Sequence, residues 1–320
     1  MRDSFGYWNP FPQDDFIDYA EGDLFLGLDL HQYVVPAQLE ALKSMHNAGV
    51  KIHFVLYDLL PMLFPQHFPQ GMNDVHEEWL KIICNFDGVL CISRSVLQEL
   101  RVWHEKREPR RRPLAADWFH IGCDIENSQP TRGLPPDGEA TLKIVGKAPT
   151  VLMVSTIEPR KGYGQTLDAF ELLWSQGQNV HLVVVGKRGW NVDPLIKRLA
   201  AHKERGKRLF WLEGISDEYL DRLYAAANVV LMASEGEGFG LAIVEGARHG
   251  KPLILRDIPV FREIAGKHAF YFRGDTPEEL AKALREWFSL RAARRTPSSQ
   301  GIKALTWKES ADMLRERLAL

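Results

Sequence analysis

Along most of this chain, short apolar runs alternate with amphipathic stretches of helical length. A parallel strand is covered on both faces, whereas its crossover helix buries only one, and this alternation supplies both. The chain therefore reads as α/β with parallel sheets. In the first half, residues 24–28, 51–57, 88–92 and 118–121 read as strands. Residues 36–48, 72–85 and 93–103 read as helices, with Pro36 near one start, Gly49 at its stop and Ser93 as a cap. The second half is more regular. Strands at 150–155, 180–186, 209–213, 229–232, 252–255 and 269–272 alternate with helices near 164–176, 192–205, 217–227, 241–249, 260–265 and 277–290. That is a complete doubly wound unit.

A length of 320 residues exceeds the usual single core, so two domains are expected. Residues 1–124 form the first. Residues 125–148, rich in Pro, Gly and small polar side chains, read as a linker. Residues 149–304 form the second domain, and residues 305–320 form a terminal helix opened by the capping residue Thr306. The first half has only about four strands and begins with irregular chain over residues 1–21. Its lobe is expected to be incomplete, as a fragment or an abbreviated domain.

Composition excludes several classes. Net charge is −2, which argues against bulk nucleic-acid binding. No apolar run reaches the roughly 18 residues of a membrane span, and residues 1–13 do not resemble a signal peptide. Cys84, Cys91 and Cys123 form no CxxC pair and read as reduced thiols of a cytoplasmic protein. The histidines show no metal-ligand spacing, and Trp174 and Trp211 read as core.

Chemistry concentrates at Ser234-Glu235-Gly236-Glu237-Gly238-Phe239-Gly240-Leu241, which follows a buried strand and opens a helix. Its glycines permit close backbone approach, and the helix start offers free N–H groups to a phosphate. A dinucleotide fingerprint would place its third glycine at Leu241 and follow the first strand of its domain, not the fourth. Glu237 in the turn and Glu245 in the helix can border one pocket, where carboxylates suit the hydroxyls of a sugar and a ribose. Pro159-Arg160-Lys161-Gly162 follows the first strand of the same domain, and its cations suit a departing diphosphate.

Together with Thr156–Gly162, these residues join Val185-Gly186-Lys187-Arg188-Gly189-Trp190, Gly214-Ile215-Ser216-Asp217 and Trp307-Lys308-Glu309-Ser310 in one pattern. The pattern resembles the family 4 retaining glycosyltransferases of the GT-B fold, in motif nearest to bacterial mannosyltransferases of polysaccharide biosynthesis. The resemblance covers nearly the whole second half. It implies two Rossmann-like lobes facing a cleft, with the terminal helix crossing back to the first lobe. It also implies that Glu237 meets the donor sugar, that the amides of Gly238, Phe239, Gly240 and Leu241 surround the diphosphate, and that Glu245 binds the ribose. Arg160 and Lys161 would neutralise the leaving nucleotide, with Ile215 against the base and Lys187 near it. No metal or other cofactor is implied.

Where many relatives carry an arginine at the strand end before the lysine, this chain has Ser155 and Thr156, and Arg160 is the substitute. Where many carry His-Asp at the cleft, it has Tyr57-Asp58. Asp58 is an acceptor-side candidate, with a loop-capping role as the alternative.

The expected reaction is transfer of a hexose, mannose from GDP-mannose, to a glycan or lipid-linked acceptor; UDP-glucose-type and dTDP-rhamnose-type donors stay open. The alternative is a donor-binding module whose acceptor site lies on another chain or domain. From Arg101 to Arg112 there are six basic residues against two Glu. That run reads either as a solvated helix end or as a peripheral contact with the inner face of a membrane.

Overall fold

The computed structural model describes residues 17–107, 114–124 and 130–318. Residues 1–16 of the irregular opening, 108–112 of the basic run and 125–129 of the linker reading lie outside the described residues.

The first lobe is a four-stranded parallel sheet in the order β1 (Leu24–Gly27), β2 (Lys51–Leu56), β3 (Gly88–Cys91), β4 (Ala116–Trp118). Its connections carry α1 (Val34–Ala37), α2 (Leu39–Asn47), α3 (Leu60–Leu63), α4 (Met72–Ile83) and α5 (Arg94–Arg107). Helix α4 buries Trp79, Leu80, Ile82 and Ile83 against the sheet, the helical spacing that turns one face inward. β3 is buried at every residue, as a central parallel strand must be. Two sequence readings are corrected. The helix expected over 36–48 is broken at Gln38, whose ψ of 16° leaves the helical basin. The strand expected at 118–121 pairs at Ala116–Trp118 instead, and Phe119 and Ile121 beyond it line the cleft.

The second lobe opens with α6 (Gly138–Val145), a helix inside the stretch read as linker. Then follow β5 (Thr150–Val154), α7 (Tyr163–Ser175), β6 (His181–Val185), α8 (Asp193–Ala201), β7 (Leu209–Leu212), α9 (Asp217–Ala226), β8 (Val229–Met232), α10 (Leu241–Arg248), β9 (Leu253–Arg256), α11 (Pro259–Ala265), β10 (Phe270–Phe272) and α12 (Pro277–Ala292). The sheet is parallel throughout, in the order β10-β9-β8-β5-β6-β7. Strand order therefore reverses between β5 and β8, which are direct neighbours. In a doubly wound sheet such a reversal opens a crevice at the carboxyl ends of the strands, where ligands bind.

Helix α13 (Trp307–Leu318) ends the described chain. Thr306 and Glu309 cap it reciprocally: the Thr306 hydroxyl accepts from the Glu309 N–H, and Glu309 Oε2 accepts from the Thr306 N–H. The helix returns to the first lobe, where Arg317 pairs with Asp117 at 3.2 Å and the Trp307 N–H meets Asp124. Among the described residues no helix is long and apolar enough to cross a membrane. Cys91 and Cys123 are buried thiols.

Candidate active site

The reversal between β5 and β8 brings the two singled-out turns together. Both leave adjacent strand ends, and the Glu235 N–H donates to the Arg160 carbonyl at 2.8 Å. Gly162, at φ +70°, sits where a β-carbon would collide with the Ala233 carbonyl, so only glycine allows this approach. Ser155 and Thr156 end β5 on the cleft side, and Gly240, at φ +101°, starts α10. No side chain caps that helix start, and Gly240, Leu241 and Ala242 line the cleft.

Glu237 is the charge centre of the turn. Lys161 Nζ donates to its Oε1 at 2.6 Å, Ser234 Oγ to the same oxygen at 2.8 Å, and Arg160 Nη1 to Oε2 at 3.1 Å. Arg160 also donates to the Gly236 carbonyl and pairs with Glu158 at 2.9 Å. Burial works to raise the Glu237 carboxyl, but Lys161 and Arg160 outweigh it and hold the group below its ordinary value. The site thus keeps an ionised carboxylate in a buried setting. Arg160 and Lys161, read from sequence as suited to a departing diphosphate, are both engaged by this carboxylate.

A cavity of about 800 Å³ lies between the lobes. Glu237, Gly238, Phe239, Gly240, Leu241, Glu245 and Lys161 line it from the second lobe, and Asp58 with Tyr57 from the first. Arg160 stands behind Glu237 rather than in the lining, Lys187 is exposed, and Ile215 packs into the apolar core of its lobe. The structure gathers the other candidates and leaves these three out of the lining.

Glu245 accepts from the Tyr224 hydroxyl at 2.8 Å, which fixes one carboxylate oxygen. Asp58 accepts from the Leu60 N–H at 3.0 Å, as a loop-capping aspartate does. It also lines the cavity, and burial pushes its carboxyl up. Behind it, His76 Nε2 meets the Asp58 carbonyl at 3.1 Å, and Gln32 meets His76 Nδ1. A carbonyl can only accept, so Nε2 carries the proton; burial lowers the His76 pKa and keeps the ring neutral.

Several contacts that close the cleft escaped the sequence reading, although Ser93 was read there as a cap. Ser93 caps α5, accepting from the Val96 N–H, and its hydroxyl also donates to the Gly238 carbonyl of the other lobe at 2.8 Å. Glu263 on α11 accepts from the Arg94 and Ser95 N–H groups, the Ser95 hydroxyl and His120. His67 meets Glu235 at 2.8 Å, and Trp190 Nε1 donates to the His67 carbonyl at 2.8 Å. Trp190 stands in one of the singled-out motifs, so its selection was legible while its role in joining the lobes was not. Among the described residues no group of three or more His, Cys, Asp or Glu is placed to hold a metal ion.

Residues 139–304, the whole doubly wound unit with both turns, match the family of glycosyl transferases group 1. The chain belongs to this family. The group 1 chain is 40% identical over 311 residues to the serotype-specific mannosyltransferase WbdA of Escherichia coli, across 96% of this chain and 38% of WbdA. It therefore spans well under half the length of that relative. It is 26% identical over 258 residues to a GDP-mannose-dependent α-(1-6)-phosphatidylinositol dimannoside mannosyltransferase of Mycobacterium tuberculosis, covering 79% of this chain and 61% of that one. The crystal structure of Anabaena HepE in complex with UDP-glucose superposes with a TM-score of 0.68 at 20% identity, over 92% of this chain and 78% of HepE. That likeness fixes the fold as GT-B.

Proposed function

We propose that the chain is a retaining hexosyltransferase that moves mannose from GDP-mannose to a glycan or lipid-linked acceptor without a metal. The observation that carries the reading is Glu237, an ionised carboxylate held by Lys161, Ser234 and Arg160 at the mouth of a helix start. In this reading the diphosphate lies on the amides of Phe239, Gly240 and Leu241, where the helix start favours negative charge. Glu237 accepts from hydroxyls of the donor sugar, and Glu245, steadied by Tyr224, accepts from the ribose. Ile215 and Lys187 are the candidates for the side of the base.

The acceptor hydroxyl approaches the anomeric carbon from the leaving-group side. The bond from that carbon to the phosphate oxygen breaks as the new glycosidic bond forms, and the hydroxyl proton passes to the departing phosphate. Lys161 and Arg160 stabilise the charge that builds there. Catalysis is then mainly positional and electrostatic. Asp58 faces the same cavity from the first lobe and marks the acceptor side.

Mannose as the sugar is supported by the likeness to WbdA, and GDP as the nucleotide by the likeness to the mycobacterial enzyme. Reaction at the cytoplasmic face of a membrane is in keeping with the buried thiols of Cys91 and Cys123. The basic run contributes less. Of its described members, Arg107 is paired with Glu77, and Arg101 donates to the Ala116 carbonyl at 3.3 Å.

Calorimetry with GDP, UDP and dTDP, followed by transfer from GDP-mannose to mannosyl acceptors, tests the proposal. GDP binding with mannose transfer is the expected result. Binding without transfer to any acceptor would favour the donor-binding module, and no binding of any nucleotide would overturn both.

A further inference from the structure

A second cavity, of about 1170 Å³, runs along α5 beside the cleft. Trp118 and His120 face it, while Phe119 and Ile121 face the donor cavity, so the two share one wall of extended chain. His120 packs edge-on against Phe239 through that wall, with ring centres 5.3 Å apart. Met62 and Leu63, on the helix that follows Asp58, close the groove from the first lobe.

Its lining is mixed in a particular way. Trp103, Trp118 and Val102 give it apolar surface. Glu99 and Trp103, one helical turn apart on α5, each keep one buried polar atom without a partner among the described residues, the Glu99 Oε2 and the Trp103 Nε1. Buried polar atoms are seldom left so. The first needs a donor and the second an acceptor. A hydroxyl supplies both, whereas a phosphate or carboxylate supplies only acceptors. Of the four Lys and Arg side chains at the rim, Arg107 is paired with Glu77, and Arg262 with Asp257 at 2.6 Å. The Arg94 guanidinium lies over the Trp118 ring at 4.9 Å. A neutral polyhydroxylated ligand matches these needs better than an anion.

We propose that this groove holds the part of the acceptor glycan remote from the reacting hydroxyl, a neutral oligosaccharide contacted by Glu99 and Trp103. The inference rests on the transferase reading and adds an extended acceptor subsite to it. Burial raises Glu99 to about 7, so near neutral pH its carboxyl can donate to a sugar oxygen as well as accept. The nearby Asp58 charge contributes to that rise, which places Glu99 within electrostatic reach of the acceptor side of the donor cavity.

The test is titration of mannotetraose into the protein by calorimetry and ligand-observed NMR, with methyl α-mannoside as the short control. Trp103→Phe removes the ring N–H and the second ring while keeping an aromatic side chain in the groove; Glu99→Leu removes both carboxyl oxygens at similar volume. Each substitution is expected to weaken mannotetraose binding about tenfold, the cost of one lost hydrogen bond in a dry site. GDP affinity and the thermal midpoint should stay at parental values, which shows that the variants fold. No oligosaccharide binding by the parent, or binding untouched by both substitutions, would overturn the proposal. So would binding of phosphatidylglycerol vesicles that Trp103→Phe abolishes in the absence of oligosaccharide binding. Oligosaccharide binding without GDP binding would instead sink the donor reading and leave the groove standing.

Discussion

Glu263 and Ser95 join the two lobes across the cleft: one carboxylate oxygen of Glu263 accepts from the Ser95 N–H at 2.8 Å and from its hydroxyl at 2.6 Å. The other oxygen takes the Arg94 N–H and His120 at 2.8 Å each. Ser93 satisfies the Val96 N–H, so the free amides of the α5 start are met from both lobes. Burial works to raise the Glu263 carboxyl, but His120, Ser95 and the helix amides bring it down from an ordinary 4.5 to about 2. A depressed carboxylate stabilises the folded state above its ordinary value, and that contribution is lost as pH falls from about 4.5 towards 2. Glu263→Gln should therefore cost on the order of 2 kcal/mol at neutral pH and flatten the acid limb of the stability curve. Thermal unfolding across that pH range checks it; an unchanged acid limb would remove Glu263 from this role.

Glu237 is the counter-charge of two buried cations, and this changes what its removal should do. Truncation to alanine would leave Lys161 without its carboxylate, at about 3–5 kcal/mol for an uncompensated buried charge, while Arg160 would keep Glu158. Glu237→Gln keeps the shape, removes the charge and turns one acceptor oxygen into an NH2 donor. Transfer should drop about 100-fold or more, the usual loss when an oriented electrostatic group is removed from a reacting centre. GDP should bind at least as tightly as before, because Lys161, released from Glu237, lines the cavity that holds the diphosphate in the proposed pose. Initial rates and calorimetry on one preparation separate the two effects. Weaker GDP binding with transfer intact would place Glu237 outside the sugar subsite.

Glu245 reaches the cavity with one oxygen tied to Tyr224. Tyr224→Phe removes that tie and should weaken GDP binding about three- to tenfold, the size of one hydrogen bond. Glu245→Ala should weaken it further. Neither should alter the rate at saturating donor by much, since both residues lie away from the sugar in the proposed pose. A fall in the saturated rate with unchanged GDP affinity would move Glu245 to the reacting end.

How much of this was legible follows from the range over which each signal acts. The turns at Arg160–Lys161 and Glu237–Leu241 stand out because each interrupts an apolar run with glycine and charge, a local pattern. Their contact depends on β8 lying beside β5, and that pairing is a property of sheet order rather than of either turn. Glu263 is one acid on an ordinary amphipathic helix, and nothing in its neighbours reveals that α5 begins opposite it. Helix α6 was hidden because it has only eight residues, flanked by Pro, Gly and polar side chains that favour a loop reading. Asp58 had two readings in sequence: the loop-capping one is seen in the bond from the Leu60 N–H, and the acceptor-side one is carried in the proposal by its place in the cavity lining.

Gly238 reads from sequence as a phosphate-loop glycine, yet its conformation is not one that excludes a side chain. Its constraint comes from the other lobe: a β-carbon there would collide with the Tyr57 carbonyl and crowd the β-carbon of Asp58. Backbone cannot swing aside as a side chain can, so Gly238→Ala should push the lobes apart, at about 1–3 kcal/mol for overpacking. The Ser93 bond to the Gly238 carbonyl would stretch with it. Gly164, in α7, is the matched control. A β-carbon there meets nothing within 4 Å, and Gly164→Ala should gain about 0.5–1 kcal/mol from helix propensity. The expected pair is a lowered thermal midpoint and lowered transfer for Gly238→Ala beside a raised midpoint and parental transfer for Gly164→Ala. Equal midpoints and equal activity in both variants would show that the closed cleft does not depend on this contact.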